Sequence, residues 1–118
     1  MAVEDALALS RTLTKITRPT HLPAALHIFE KVRIDRAGKM QEASLLNGKL
    51  WHFPDGPVQR ARDAAMRAEV LGMPFSHSPN QWSDPATQMW AYGYDAEEEI
   101  ERVWGEVRSW EGRVRSQL

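Results

Sequence analysis

The sequence predicts an all-α protein in which four helices, at about residues 2–16, 23–51, 57–71 and 95–115, are joined by short turns and one proline-rich loop. Three observations carry this expectation. Apolar residues recur at spacings of three and four along most of the chain, and alternating β-branched runs are scarce. The prolines, with Gly56 and Gly72, fall between the periodic stretches or at their edges, where they open or end helices. At 118 residues, with 42% hydrophobic and 26% charged side chains, the chain has the size and composition of one globular domain spanning 1–118.

In the first stretch, Ala2, Val3, Ala6, Leu7, Leu13 and Ile16 sit around one broad helical face, with Leu9 off it. Glu4 and Asp5 suit a first turn, and Lys15 and Arg18 a last one. Pro19 stops the helix, and Pro23 is placed for the first turn of the next. The second stretch carries a heptad-like stripe: Leu22, Leu26, Phe29, Arg33, Arg36, Met40, Ala43, Asn47 and Leu50. Its two ends are expected to pack on apolar neighbours while the arginine centre crosses a wetter region. Gly38 and Gly48 are each worth about 1 kcal/mol less than alanine in a helix and mark places for a kink.

Pro54-Asp55-Gly56 makes a turn. The third helix follows, with Gly72 as its C-cap. Residues 73–85 contain three prolines and no periodicity, so they form the loop. Asp84 is placed to cap a short turn through Met89 and Trp90. Asp95 starts the last helix, with Glu98 at the capping-box position. Ile100, Val103, Trp104, Val107, Trp110 and Val114 form that helix's apolar stripe.

A net charge of −1 provides no global field for nucleic acid or an anionic membrane. With no cysteine, disulfides, thiolate metal sites and cysteine nucleophiles are excluded. No apolar run approaches the roughly 20 residues of a membrane span. The acidic Glu4 and Asp5 do not suit a signal peptide. A cytoplasmic protein is the expectation. His21, His27, His52 and His77 have no zinc-ligand spacing, so no metal is expected.

Four segments, taken in order, resemble group A flavoprotein monooxygenases, in the C-terminal portion of the salicylate-hydroxylase-like branch. They are Ala2-Val3-Glu4-Asp5-Ala6-Leu7-Ala8-Leu9, then Phe29 to Ala37 with its paired arginines, then Asn47 to Gly56 leading to Arg60, Arg62 and Asp63, and finally Trp90 to Ala96. The resemblance implies a helical region that packs on an FAD domain. The Gly-x-Gly-x-x-Gly turn through which the family approaches the FAD pyrophosphate is absent from this sequence. So is the Gly-Asp segment that precedes the first resembling stretch in the family. The sequence therefore predicts no bound flavin and no cofactor.

Arg33, Arg36, Arg60, Arg62, Asp35, Glu42 and Asp63 are placed for an ion network between the second and third helices, or for one arginine that polarises a carbonyl. His52 beside Asp55 suits either an oriented imidazole or a turn-fixing hydrogen bond. Trp51, Met73, Phe75, Trp82 and Trp90 lie at turns and loop edges. There they serve either as plain core or as the wall of an apolar pocket for substrate, with the tyrosine hydroxyls as polar groups. The candidate catalytic donors are His52, Tyr92, Tyr94 and Arg36.

Two functions from different classes follow. One is a cofactor-independent cyclase or isomerase, pericyclic chemistry included, acting by shape on a small hydrophobic secondary metabolite. The other is a non-catalytic partner module, or the complementing half of a split FAD-dependent monooxygenase. Helices cut from a partner domain would expose apolar patches, which soluble monomers avoid. A homodimer is therefore expected.

Overall fold

The protein was analysed as a computed structural model that describes residues 1–115, with side chains described through Arg108. Helices account for the regular structure, and no strand occurs among the described residues. α1 runs Ala2–Thr14, a 3₁₀ turn covers Pro19–His21, and α2 runs Leu22–Trp51. α3 (Pro57–Ala65) and α4 (Arg67–Val70) follow, then α5 (Pro85–Tyr92) and α6 (Ala96–Arg115). The all-α expectation holds, and three of the four predicted helices match within two residues at each end. The predicted third helix is broken at Met66 into α3 and α4, and the short turn after Asp84 is a helix of eight residues.

The helix ends follow from local chemistry. The Asp95 carboxylate accepts from the backbone N–H groups of Glu97 and Glu98, which caps α6. Asp84 caps α5 by accepting from the Thr87 N–H at 3.0 Å. α4 closes on Gly72 at φ 66°. There the Met73 N–H reaches the Ala68 carbonyl at 2.9 Å and the Gly72 N–H reaches Glu69 at 3.1 Å. This crossed pair is a Schellman motif, and its left-handed position favours glycine. Gly38 and Gly48 do not interrupt α2.

The chain divides into two compact units, residues 1–37 with 95–118, and residues 38–94. The first contains α1, the N-terminal part of α2, and α6. α1 packs on α6 with Ala8, Thr12, Ile100 and Val103 buried. The Thr12 hydroxyl stays satisfied through the Ala8 carbonyl at 2.8 Å. Arg11 and Lys15 on α1 both pair with Glu101 on α6. On the part of α2 in this unit the buried apolar positions are Ala25, Ile28 and Val32.

Two expectations about helix faces are corrected here. α1 buries Ala8 and Thr12, while Val3 is 74% exposed and Leu7 and Leu13 are also exposed. Its predicted apolar face therefore points to solvent. On α2 the Leu22 and Leu26 end of the predicted stripe is exposed, and its arginine centre is buried, with Arg36 at 3% side-chain exposure. The cause is charge pairing. A buried guanidinium is tolerated only when its donors are matched, and the first turn of α1 supplies both carboxylates.

The second unit contains the C-terminal part of α2 with α3, α4, α5 and the loop between α4 and α5. Ala43, Met66 and Ala91 are its buried apolar residues, and Asn47, Ser78 and Asp84 are buried with them. Of the predicted last-helix stripe, Ile100 and Val103 are buried. Trp104 and Val107 are half-buried, and Trp110 and Val114 lie outside the residues whose side chains are described.

Candidate functional site

In the first unit the functional candidates form a carboxylate–guanidinium cluster beside an open apolar groove. Arg33 Nε donates to Asp5 at 2.7 Å and its Nη2 to Glu4 at 3.1 Å. Arg36 grips Glu4 in a fork, Nε to Oε2 at 3.1 Å and Nη2 to Oε1 at 3.0 Å. Arg36 and then Arg33 hold the Glu4 carboxyl below the ordinary glutamate range, against a smaller opposing effect of burial. Where a network between the second and third helices was expected, these two arginines pair with Glu4 and Asp5 on α1. With its side chain 3% exposed, Arg36 does not present its guanidinium to an open site. Beside the cluster lies a groove of about 800 Å³, lined by Leu26, Phe29, Ile34, Ala37, Asp5 and Arg33 among others. Ile34 is 62% exposed there.

The second unit holds the remaining candidates. His52 ends α2 exposed, and its Nδ1 lies 2.7 Å from the Gly48 carbonyl oxygen. Nδ1 is therefore the protonated nitrogen, satisfying a carbonyl at the helix C-terminus. The imidazole is engaged with this carbonyl rather than with Asp55. Tyr92 is 72% exposed at the end of α5, and Tyr94 is half-buried.

The aromatics divide between two grooves. Trp51 joins Met66, Val70, Leu71, Asp63 and Arg67 around about 430 Å³. Trp90 joins Leu46, Ala43, Lys39, Glu42, Gln81 and Thr87 around about 380 Å³. Neither groove is lined by His52, Tyr92 or Tyr94. Phe75 and Trp82 are half-buried and Met73 is exposed, none of them lining either groove.

A polar network that sequence reasoning missed holds the loop between α4 and α5. Asn47 donates to Asn80 Oδ1 at 3.1 Å and accepts from the Gln81 N–H at 2.8 Å. Glu69 accepts from the Ser78 hydroxyl at 2.6 Å and from Asn80. Asp84 accepts from the Ser78 N–H as well as from Thr87. The Ser78 hydroxyl lowers the Glu69 carboxyl below its ordinary value, and the Ser78 N–H does the same for Asp84. The available signal was Asn47, an amide on a helical stripe otherwise apolar or basic. The network orders the loop and leaves its own groups satisfied, so it is structural.

An FAD pyrophosphate at a helix N-terminus needs free N–H groups and positive potential, which α1, α5 and α6 do not offer together. Those of α5 and α6 are taken by Asp84 and Asp95. α3 opens on Pro57, which has no N–H. α1 and α6 place Glu4, Asp5, Glu97, Glu98 and Glu99 in their first turns.

Comparison with known proteins gives the relationship. Over 95 residues, 80% of this chain, the sequence is 36% identical to "FAD-dependent monooxygenase OpS4" of Beauveria bassiana (strain ARSEF 2860). Over 67 residues, 57% of the chain, it is 37% identical to "FAD-dependent monooxygenase atnJ" of Arthrinium sp. No family model matches. The chain is homologous to a segment of FAD-dependent monooxygenases, as the four resembling stretches implied. It spans 22% and 16% of the lengths of these two relatives. Among the described residues no helix is long and apolar enough to cross a membrane.

Proposed function

We propose that this chain acts as the helical segment of an FAD-dependent monooxygenase, docking its apolar surface on polypeptide that carries the flavin and the substrate site. The observation that carries this reading is the reversed polarity of the first unit. Arg33 and Arg36 are buried against Glu4 and Asp5, while Val3, Leu7, Leu26 and Ile34 face outward. Exposed apolar surface of this kind marks an interaction face. In the relatives the matching segment is joined to a much longer chain, which is the natural cover for that face.

The other reading, a flavin-free cyclase or isomerase for a hydrophobic metabolite, is less well supported. Catalysis by shape needs reacting atoms held close and shielded from water. The candidate donors His52 and Tyr92 stand exposed and apart from the aromatic grooves. A homodimer would cover the same outward face and competes with docking for it.

The test is a chimera in which this chain replaces the matching segment of the Beauveria bassiana relative. The expected product binds FAD stoichiometrically, and the same chimera with Leu26→Glu and Ile34→Glu loses it. A chimera that folds but holds no FAD, or one indifferent to both glutamates, would contradict the proposal.

A further inference from the structure

We infer that the groove between the end of α2 and the α3–α4 pair is a binding site for a small amphiphilic carboxylate, an apolar body carrying one anionic head. The inference is independent of the reading above. The groove's volume of about 430 Å³ lies in the range of small-molecule sites. Its walls are the Trp51 indole, Met66, Val70 and Leu71. Trp51 is 50% exposed and has an arginine against one face. The Arg62 guanidinium sits 5.8 Å from its ring centroid, and Arg62 Nη1 is itself anchored on the Leu50 carbonyl at 2.8 Å.

The charges on the rim decide the sign of the ligand. Asp63 and Arg62 neutralise each other through Nε at 2.8 Å and Nη2 at 2.6 Å. Gln59 also donates to Asp63 at 2.6 Å. Arg67 lines the same groove, and its guanidinium has no hydrogen bond or ion pair among the described residues. The groove thus presents apolar walls and one uncompensated cation, the complement of an apolar anion. A guanidinium binds a carboxylate through paired N–H donors.

The probe is octanoate, compared with octanamide, which has the same chain and no charge. Binding is followed by the indole N–H resonance of Trp51, assigned through Trp51→Phe. Octanoate is expected to shift that resonance saturably. Arg67→Gln should weaken octanoate about 10-fold, the worth of one partly solvated charge-assisted hydrogen bond, and leave octanamide unchanged. Arg60→Gln, which removes an exposed arginine that does not line the groove, should leave both unchanged. The melting temperature of Arg67→Gln should equal that of the parent, which separates lost binding from lost fold. Equal affinity for octanamide and octanoate, no shift with either, or a Trp51 shift that follows protein concentration because a second copy covers the groove would each overturn the inference.

Discussion

Arg36 and Glu4 form a two-point ion pair, Nε to Oε2 at 3.1 Å and Nη2 to Oε1 at 3.0 Å, with the arginine side chain 3% exposed. The pair fixes which side of α1 faces α2. It does so against the helix's own apolar pattern, because an unmatched buried guanidinium costs more than burying a leucine gains. Glu4→Ala should destabilise the protein by about 2–4 kcal/mol by removing the carboxylate that takes both the Nε and the Nη2 donors of buried Arg36. Replacing both partners together, Glu4→Leu with Arg36→Met, should cost less than the single change. Urea denaturation of the variants measures both.

The same pair gives an acid dependence of known sign. The folded-state pKa of Glu4 lies below 4.5, its ordinary value, because Arg36 and Arg33 favour the carboxylate. Its contribution is therefore fully present above pH 4.5 and is lost as pH falls through the lower folded value. Asp84 behaves alike below its ordinary 3.8, through the N–H groups of Ser78 and Thr87. Stability measured between pH 6 and pH 3 should fall less steeply for Glu4→Gln than for the parent protein; equal slopes would contradict the assignment.

Asn47 joins α2 to the loop before α5 through Asn80 and the Gln81 N–H. Asn47→Leu should cost about 1–3 kcal/mol, since it leaves the part-buried Gln81 N–H without its acceptor and removes one of the two donors to Asn80 Oδ1. Hydrogen exchange at Gln81 should quicken more than exchange at the centre of α6.

Two glycines should respond with opposite signs. A Cβ on Gly38 would meet nothing within 4 Å, so Gly38→Ala should stabilise α2 by up to about 1 kcal/mol. Gly72 holds φ at 66° in the Schellman turn, so Gly72→Ala should cost about 1 kcal/mol. Thermal melts of the two variants settle both.

The contrast between these positions shows what the sequence makes legible. Gly72, Asp84 and Asp95 act through bonds to residues close in the chain, so their capping roles could be read from spacing alone. The direction of α1 could not, because it depends on Glu4 meeting Arg36 across 32 positions. Periodicity alone put Val3, Leu7 and Leu13 inside. The buried Asn47 was visible as an oddity on its stripe, but its partner Asn80 lies in a loop with no pattern. The candidate site suffered in the same way. Trp51 and Trp90 do line grooves, whereas residue type gave no means of seeing that His52 would be occupied by Gly48 and that Tyr92 would face solvent.

The most direct test of the central claim is a flavin titration. The Beauveria bassiana relative, expressed without its matching segment, is mixed with rising amounts of this chain, and the FAD retained per polypeptide is measured after gel filtration. Docking through the outward face of the first unit should give a saturable rise in retained FAD at equimolar chain, abolished by Leu26→Glu with Ile34→Glu. FAD retention that does not change with added chain, or that rises equally with the double variant, would contradict it.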